Sequence, residues 1–322
     1  MTNCEVWVFS ENRNLMLELL GKGRQLADKL QTKLTAILLG KNAKNQAQQL
    51  IQHGADKILL MDNPKLEKFR LEPYLSVLTE LAARRKPEII LIGSTCNGKE
   101  LASRLAVRLE TGCVPDCTEL NINENGQLTM KRIVYGGNAV AKMMCKTKPE
   151  IVTVPPRVFE KLEPKEKTGE ITEVDVKIEE PKTEIVETKE VEARKVALEE
   201  ANVIISGGRG VKNKEDFEMF NQLAETLRGQ IGNSRPIAED RRWFTDWIGL
   251  SGRKVTPSLY VACGISGMIQ HVAGIRDSQV IVAVNKDPEA PIFEVADYIV
   301  VGDLYDIIPA LTSELKKILK DG

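Results

Sequence analysis

Short apolar runs alternate with amphipathic stretches over the first 110 residues. Glu5-Val6-Trp7-Val8-Phe9-Ser10 reads as a buried strand, and Leu34-Thr35-Ala36-Ile37-Leu38-Leu39-Gly40 as a second. Between them Leu15, Leu19, Leu26 and Leu30 recur at helical spacing over residues 14–30. A helix over 45–53 follows, stopping at Gly54, and then a strand over 57–61. Residues 73–85 read as a helix with Leu75, Val77, Leu78 and Leu81 inward, and 88–93 as a strand. The polar turn Ser94-Thr95-Cys96-Asn97-Gly98-Lys99 then leads into a helix reaching Leu109. Continuous apolar strands alternating with helices predict a largely parallel sheet covered on both faces.

After Thr111 the pattern changes. Turn signals at 121–126 and at Gly136-Gly137-Asn138 bracket strands over 128–135 and 139–145. A further run over 151–154 ends before Pro155-Pro156, so an antiparallel extension of the first sheet is expected. From 157 to 200 Glu and Lys dominate, with alternation at Ile171, Val174, Val176 and Ile178, as in a solvated charged connector carrying one or two edge strands. Strand-like runs return at 201–206, 259–262 and 280–284. Phe217, Phe220, Leu223, Ala224 and Leu227 form one helical stripe over 215–227. The expected organisation is an N-terminal α/β domain over 1–165, a connector over 166–199 and a C-terminal doubly wound α/β domain over 200–322.

Composition narrows the classes. With 322 residues, 42% hydrophobic and 28% charged, the chain has material for a packed core and, by length, two domains. A formal net charge of -1 argues against nucleic acid as a main partner. No apolar run approaches the roughly 20 residues a spanning helix needs, and the start lacks a basic, then apolar, export signal. A cytoplasmic protein with free thiols is expected from its six cysteines. Cys113-Val114-Pro115-Asp116-Cys117 is a close pair, read as ordinary thiols around a proline turn because no histidine is near.

Candidate chemistry gathers in the loops after the second-half strands. Gly207-Gly208-Arg209-Gly210-Val211 combines a tight turn with a cation for an anionic ligand. Cys263-Gly264-Ile265-Ser266-Gly267 follows a strand and starts a helix, offering a hydroxyl and free amides. Asn285-Lys286-Asp287 ends a third strand and offers an amide to a ribose or base. Three such loops together fit a phosphorylated cofactor at strand ends. A Ser266–His271 hydrolase does not fit, because Gly-x-Ser-x-Gly would need glycine at Met268 and a five-residue offset separates helix faces. Residues 94–99 lack the Walker spacing and read as a plain strand-to-helix connection.

Residues 206–211, 264–274, 285–298 and 302–304 closely resemble the alpha subunit of electron transfer flavoprotein. Ser234-Arg235-Pro236-Ile237-Ala238-Glu239, the Trp-bearing run after it, Val6–Ser10 at the start and Val134-Tyr135-Gly136-Gly137 are similar to the FixB-type branch, tied to anaerobic acyl-CoA and carnitine metabolism. The resemblance implies FAD in a cleft of the second domain that faces a beta subunit. Arg209 would meet the phosphates. Ser234, Ile248, Gly249, Leu250, Ser251, Ser266, Gly267, Met268, Ile269, Gln270 and His271 would line the cofactor, with Asn285, Asp303 and Leu304 toward its adenosine end. Arg235 would lie over the flavin ring, Ser251 would donate to N5 and His271 would face the O2 edge. Leu250 stands where the family commonly has glutamine, and Ser251 where it has threonine, which keeps the hydroxyl. A fixed guanidinium and a histidine would then stabilise charge gained on reduction without any catalytic acid or base.

The implied function is an electron carrier serving an acyl-CoA dehydrogenase or related flavoenzyme. The runner-up is a subunit of an NADH-dependent bifurcating complex that reduces ferredoxin and an acyl-CoA. One FAD plus AMP per heterodimer marks the first, two FAD the second. No cysteine cluster of ferredoxin spacing is present. A nucleotide-binding regulatory module would need Gly-x-Gly-x-x-Gly with an acidic residue about 20 positions on, which is missing.

Overall fold

Trp7 is fully buried, and the strand that carries it lies in the middle of the first sheet. The computed structural model describes residues 5–135, 139–188 and 198–319. Cys4, the turn at Gly136-Gly137-Asn138 and part of the connector, 189–197, lie outside the described residues. The chain forms two compact units, residues 1–188 and 189–322.

In the first unit, β1 (Val6–Phe9), α1 (Arg13–Lys29), β2 (Leu34–Gly40), α2 (Lys44–Gln52), β3 (Lys57–Asp62), α3 (Leu71–Arg85), β4 (Ile89–Gly93) and α4 (Cys96–Arg108) alternate in chain order. They continue into β5 (Cys113–Val114), β6 (Cys117–Ile122), β7 (Leu128–Val134), β8 (Ala139–Met143), β9 (Glu150–Val154) and β10 (Glu170–Glu173). The seven-stranded sheet runs β10-β3-β2-β1-β4-β9-β5, and all of its pairings are parallel. Leu19, Leu20 and Leu50 fill one face; Leu75, Leu78, Leu101 and Leu105 fill the other. Each such fully buried side chain stabilises the fold by about 1.5–3 kcal/mol. Helix starts follow the capping rule, with Asn12 Oδ1 accepting from Leu15 N at 3.0 Å and Thr95 Oγ1 from Gly98 N at 2.8 Å.

Two expectations change here. The antiparallel segment forms a sheet of its own, β6-β7-β8, and the run at 151–154 returns to the parallel sheet between β4 and β5. All five positions of β9 are buried, which suits a two-face-covered parallel strand rather than a half-exposed antiparallel one. The charged stretch after Arg157 carries an edge strand, as expected, but is held more closely than a solvated connector. Its edge strand β10 pairs with β3 behind Lys57–Glu170 and Lys44–Glu173 ion pairs, and Val176 is buried in the core with Val174 and Ile178 beside it. Alternating β-branched residues outweighed the charge, as at a protected sheet edge. The turn at 94–99 is a strand-to-helix connection: Ser94 Oγ meets Thr153 Oγ1 at 2.8 Å, and Lys99 pairs with Asp116 at 3.3 Å.

The second unit comprises β11 (Val203–Gly207), α5 (Phe217–Thr226), β12 (Gln230–Asn233), α6 (Arg235–Glu239), β13 (Leu259–Cys263), α7 (Ile269–Val272), β14 (Val280–Asn285), β15 (Tyr298–Val301) and α8 (Leu304–Ile318). Its sheet runs β12-β11-β13-β14-β15, wholly parallel. Tyr260 and Ile281 anchor one core, and Phe217, Phe220 and Ile308 the other. The chain leaves β11 for β12 on one side, then crosses back to β13 on the other. The loops after β11 and β13 therefore diverge at a topological switch point, where open α/β sheets form a crevice.

Candidate functional site

That crevice is a cavity of about 430 Å³, within the range of small-molecule sites. Its walls come from the C-terminal ends of all five strands of the second unit. Gly210 follows β11, Ser234 follows β12, Ser266 follows β13, Asn285 ends β14 and Gly302 follows β15. Four inter-strand steps of about 4.8 Å give the cleft a reach of roughly 19 Å.

Arg209, Ser234, Arg235, Ile248, Gly249 and Leu250 line the cavity. So do Ser251, Ser266, Met268, Gln270, His271, Asn285 and Leu304. Gly267, Ile269 and Asp303 are not among the lining residues. Gly267 is packed into the chain at φ +87, where a Cβ would sit 2.1 Å from Ile292 N. Ile269 is 60% exposed outside the cavity. Asp303 is the N-cap of α8: Oδ1 accepts from Tyr305 N at 3.0 Å and Oδ2 pairs with Lys286 Nζ at 2.7 Å. The Lys286 ammonium and the Tyr305 N–H hold its carboxyl below the usual carboxylate range.

The glycines of the first loop serve the protein's own packing. A Cβ on Gly208 would fall 2.4 Å from Gly264 O, and one on Gly210 2.9 Å from Gly264 Cα. Gly208 N and Gly210 N donate to Cys263 O and Gly264 O at 2.9 and 3.0 Å, tying the two switch-point loops together. Close approach of one loop to the other requires glycine at both positions. From outside, Arg241 donates to the Arg209 carbonyl at 3.2 Å and to the Val211 carbonyl, while its guanidinium stacks 4.6 Å from the Trp243 ring. The Asn285 side chain links the next pair of loops, donating to Ile265 O at 2.9 Å and accepting from Asp287 N at 3.1 Å.

Helix α7 has only four residues, so its dipole is slight and the expected helix-start anion site reduces to individual amides. Arg235 Nε pairs with Glu239 Oε2 at 2.6 Å, and its guanidinium lies 5.7 Å from the Trp247 ring centroid. His271 is 7% exposed. Its Nδ1 is 3.1 Å from Ile248 O and its Nε2 is 3.0 Å from the Tyr260 hydroxyl. Both ring nitrogens thus have a partner within the chain, while His271 lines the cavity. Burial pushes His271 down to about 4, the Ile248 carbonyl pulling weakly the other way, so the ring is neutral at physiological pH. Nε2 turns to Tyr260 rather than Ser266.

Trp247 and Lys286 line the cavity as well, although the motifs assign neither side chain a ligand contact. Both had a signal: Lys286 directly follows Asn285, and Trp247 directly precedes Ile248-Gly249. Cys113 and Cys117 are free, with burial pushing their thiols up to about 11 and about 12, as expected of inert thiols. No His, Cys, Asp and Glu cluster able to hold a metal occurs among the described residues, and no helix among them is long and apolar enough to cross a membrane.

The donor set suits a dinucleotide. Arg209, Arg235 and Lys286 supply positive charge, Ser234, Ser251 and Ser266 hydroxyls, and Gln270 and Asn285 amides. Ile248, Ile265, Val284 and Leu304 supply apolar wall. Fold and site together define an α/β nucleotide-cofactor protein with its cleft at the sheet's switch point. The family model for the electron transfer flavoprotein domain matches residues 6–179, and that for the electron transfer flavoprotein FAD-binding domain matches 197–276. An electron transfer flavoprotein subunit alpha from Clostridium acetobutylicum is 43% identical, covering 97% of this chain and 96% of its own length. The lactate dehydrogenase (NAD(+),ferredoxin) subunit LctC of Acetobacterium woodii is 40% identical over 93% of this chain and 72% of its own length. The acryloyl-CoA reductase electron transfer subunit beta of Anaerotignum propionicum is 36% identical over 97% and 96%. The chain belongs to the electron transfer flavoprotein alpha subunit family.

Proposed function

We propose that the cleft holds FAD in an extended form and that the chain, paired with a beta subunit in the cytoplasm, carries electrons to or from an acyl-CoA dehydrogenase or related flavoenzyme. The observation that carries this reading is the composition of a cleft drawn from all five strand ends, cationic, hydroxyl-bearing and apolar by turns. Bound there, FAD would supply reversible acceptance of one or two electrons. The chain's part is to hold and to bias. Arg209 would neutralise phosphate, and Asn285 and Lys286 would bind on the β14–β15 side. Arg235, steadied by Trp247, would favour a negatively charged ring. Ser251 would offer its hydroxyl beside the exposed Leu250. The name of the relative from Anaerotignum propionicum, which joins electron transfer to an acyl-CoA reductase, supports the acyl-CoA side. The test is to co-purify the chain with its beta subunit, record the spectrum and identify the nucleotide released on heating. A yellow complex releasing FAD is expected; a colourless one contradicts it.

A second reading is an NADH-dependent bifurcating assembly that also reduces ferredoxin, favoured by the relative whose name joins NAD(+) and ferredoxin. One FAD with AMP per complex selects the carrier, and two FAD select bifurcation.

A further inference from the structure

Arg241 stands outside the cleft, yet it holds the loop that carries Arg209. Arg209 and Gly210 line the cavity, and Arg241 does not. The Arg241 guanidinium donates through Nη2 to the Arg209 carbonyl at 3.2 Å. Through Nη1 it donates to the Val211 carbonyl, with the Lys212 carbonyl 3.4 Å away. Three carbonyls of one short loop thus turn to a cation on its outer side. For an anionic ligand this matters, because a carbonyl oxygen facing inward repels a phosphate that amides and guanidinium groups attract. At the far end of the loop the Tyr305 hydroxyl accepts from Lys212 N at 2.7 Å and donates to Asp216 at 2.5 Å. We propose that Arg241 is a positioning residue for the diphosphate of the cofactor: it turns the loop carbonyls outward and presents Arg209 to the anion, touching no ligand itself.

The clamp is itself anchored. The Arg241 guanidinium lies 4.6 Å from the Trp243 ring centroid, and Trp243 meets the buried Phe217 edge-on, 6.3 Å between centroids. Arg241 N donates to Pro236 O and Trp243 N to Ile237 O, each at 3.2 Å. The segment therefore folds back on α6, whose first residue, Arg235, lines the cavity. Arg241 thereby ties the loop after β11 to the segment after β12, two walls of the same cleft. A planar guanidinium can reach two carbonyls while stacking on an indole, which an ammonium cannot. Lysine could supply the charge behind the loop but not the fork. That the anion is a diphosphate rests on the FAD reading; the hold on the loop does not.

The test compares FAD with riboflavin, which has the ring but no phosphate, as ligands of the deflavinated heterodimer. Wild-type, Arg241→Gln and Arg241→Lys chains are titrated by flavin fluorescence. Arg241→Gln is expected to weaken FAD about tenfold, the scale of one charge-assisted hydrogen bond, and to leave riboflavin affinity unchanged. Arg241→Lys is expected to recover only part of the loss, staying about threefold weaker than wild type for want of the fork. Unchanged FAD affinity in Arg241→Gln overturns the proposal. So does an equal loss for riboflavin, which marks a general loosening of the fold. Full recovery by Arg241→Lys overturns it too, reducing the residue to its charge. If Arg241→Gln fails to fold, Arg241→Lys against wild type decides with the same two ligands. A wild-type complex that takes no FAD defeats the cofactor reading and this role together. A wild type that takes FAD no better than Arg241→Gln does defeats this role alone.

Discussion

The guanidinium of Arg235 lies 5.7 Å from the ring centroid of Trp247 while its Nε is bound to Glu239 at 2.6 Å. A cation held between an aromatic face and a carboxylate, on the cleft wall, keeps one orientation with little rotamer freedom. Arg235→Ala is expected to lower the first one-electron potential of the bound flavin by on the order of tens of millivolts, modest because the exposed guanidinium is screened. Trp247→Leu is expected to give a smaller drop in the same direction. Reductive titration against reference dyes measures both; potentials equal to wild type would remove Arg235 from redox tuning.

Gly267 and Gly126 both have left-handed backbone, at φ +87 and φ +74, but in different surroundings. A Cβ on Gly267 would reach 2.1 Å from Ile292 N, a backbone atom that cannot move aside, whereas Gly126 meets nothing within 4 Å. Gly267→Ala is expected to cost about 2–4 kcal/mol, backbone strain plus clash. Gly126→Ala should cost about 1 kcal/mol, strain alone. Denaturant unfolding followed unit by unit measures the difference, and equal losses would show that the contact with Ile292 does not matter.

His271 makes the second unit acid-sensitive. Its folded pKa, about 4, lies below the ordinary 6.5, so the unfolded chain binds a proton first. Stability from this group is complete above pH 6.5, is lost as pH falls toward 4, and changes no further below that. The loss is up to about 3 kcal/mol. His271→Gln is expected to flatten the acid limb of unfolding free energy against pH across that window. A variant profile parallel to wild type would mean that His271 is charged, or solvated, in the native protein.

Much of the fold is legible in the order of the residues. The parallel sheets follow from runs such as Leu34–Gly40, interrupted only by Thr35, and Ile89–Gly93, because a strand covered on both faces has no polar side to alternate with. The strand Gln230–Asn233 has no such signature. Two of its four residues are polar and one is glycine, and its burial comes from Ile204 and Ile248 around it. The edge strand Tyr298–Val301 is apolar throughout yet more than half exposed at Tyr298, Ile299 and Val301, so its burial is not legible from its composition. In the cleft, motif position brings Arg209, Ser234, Ser266 and Asn285 to one cavity. Partner choice is what no motif holds. Asp303 spends its oxygens on Tyr305 N and Lys286, and His271 spends its nitrogens on Ile248 and Tyr260. Those pairings depend on contacts across strands, which one sequence does not encode locally.

The cleft draws on β12 at one end and β14–β15 at the other, so a ligand must be long to use it all. The most direct measurement is a titration of the deflavinated heterodimer with FAD and with FMN, followed by flavin absorbance and Trp247 fluorescence. FAD is expected to bind one to one at this cleft, quench the tryptophan and lose affinity in Lys286→Ala, while FMN, lacking the half that reaches Asn285 and Lys286, binds at least 100-fold more weakly, about 2.7 kcal/mol. Equal affinity for the two flavins, or FAD binding indifferent to Lys286→Ala, would contradict a dinucleotide laid across these five strand ends.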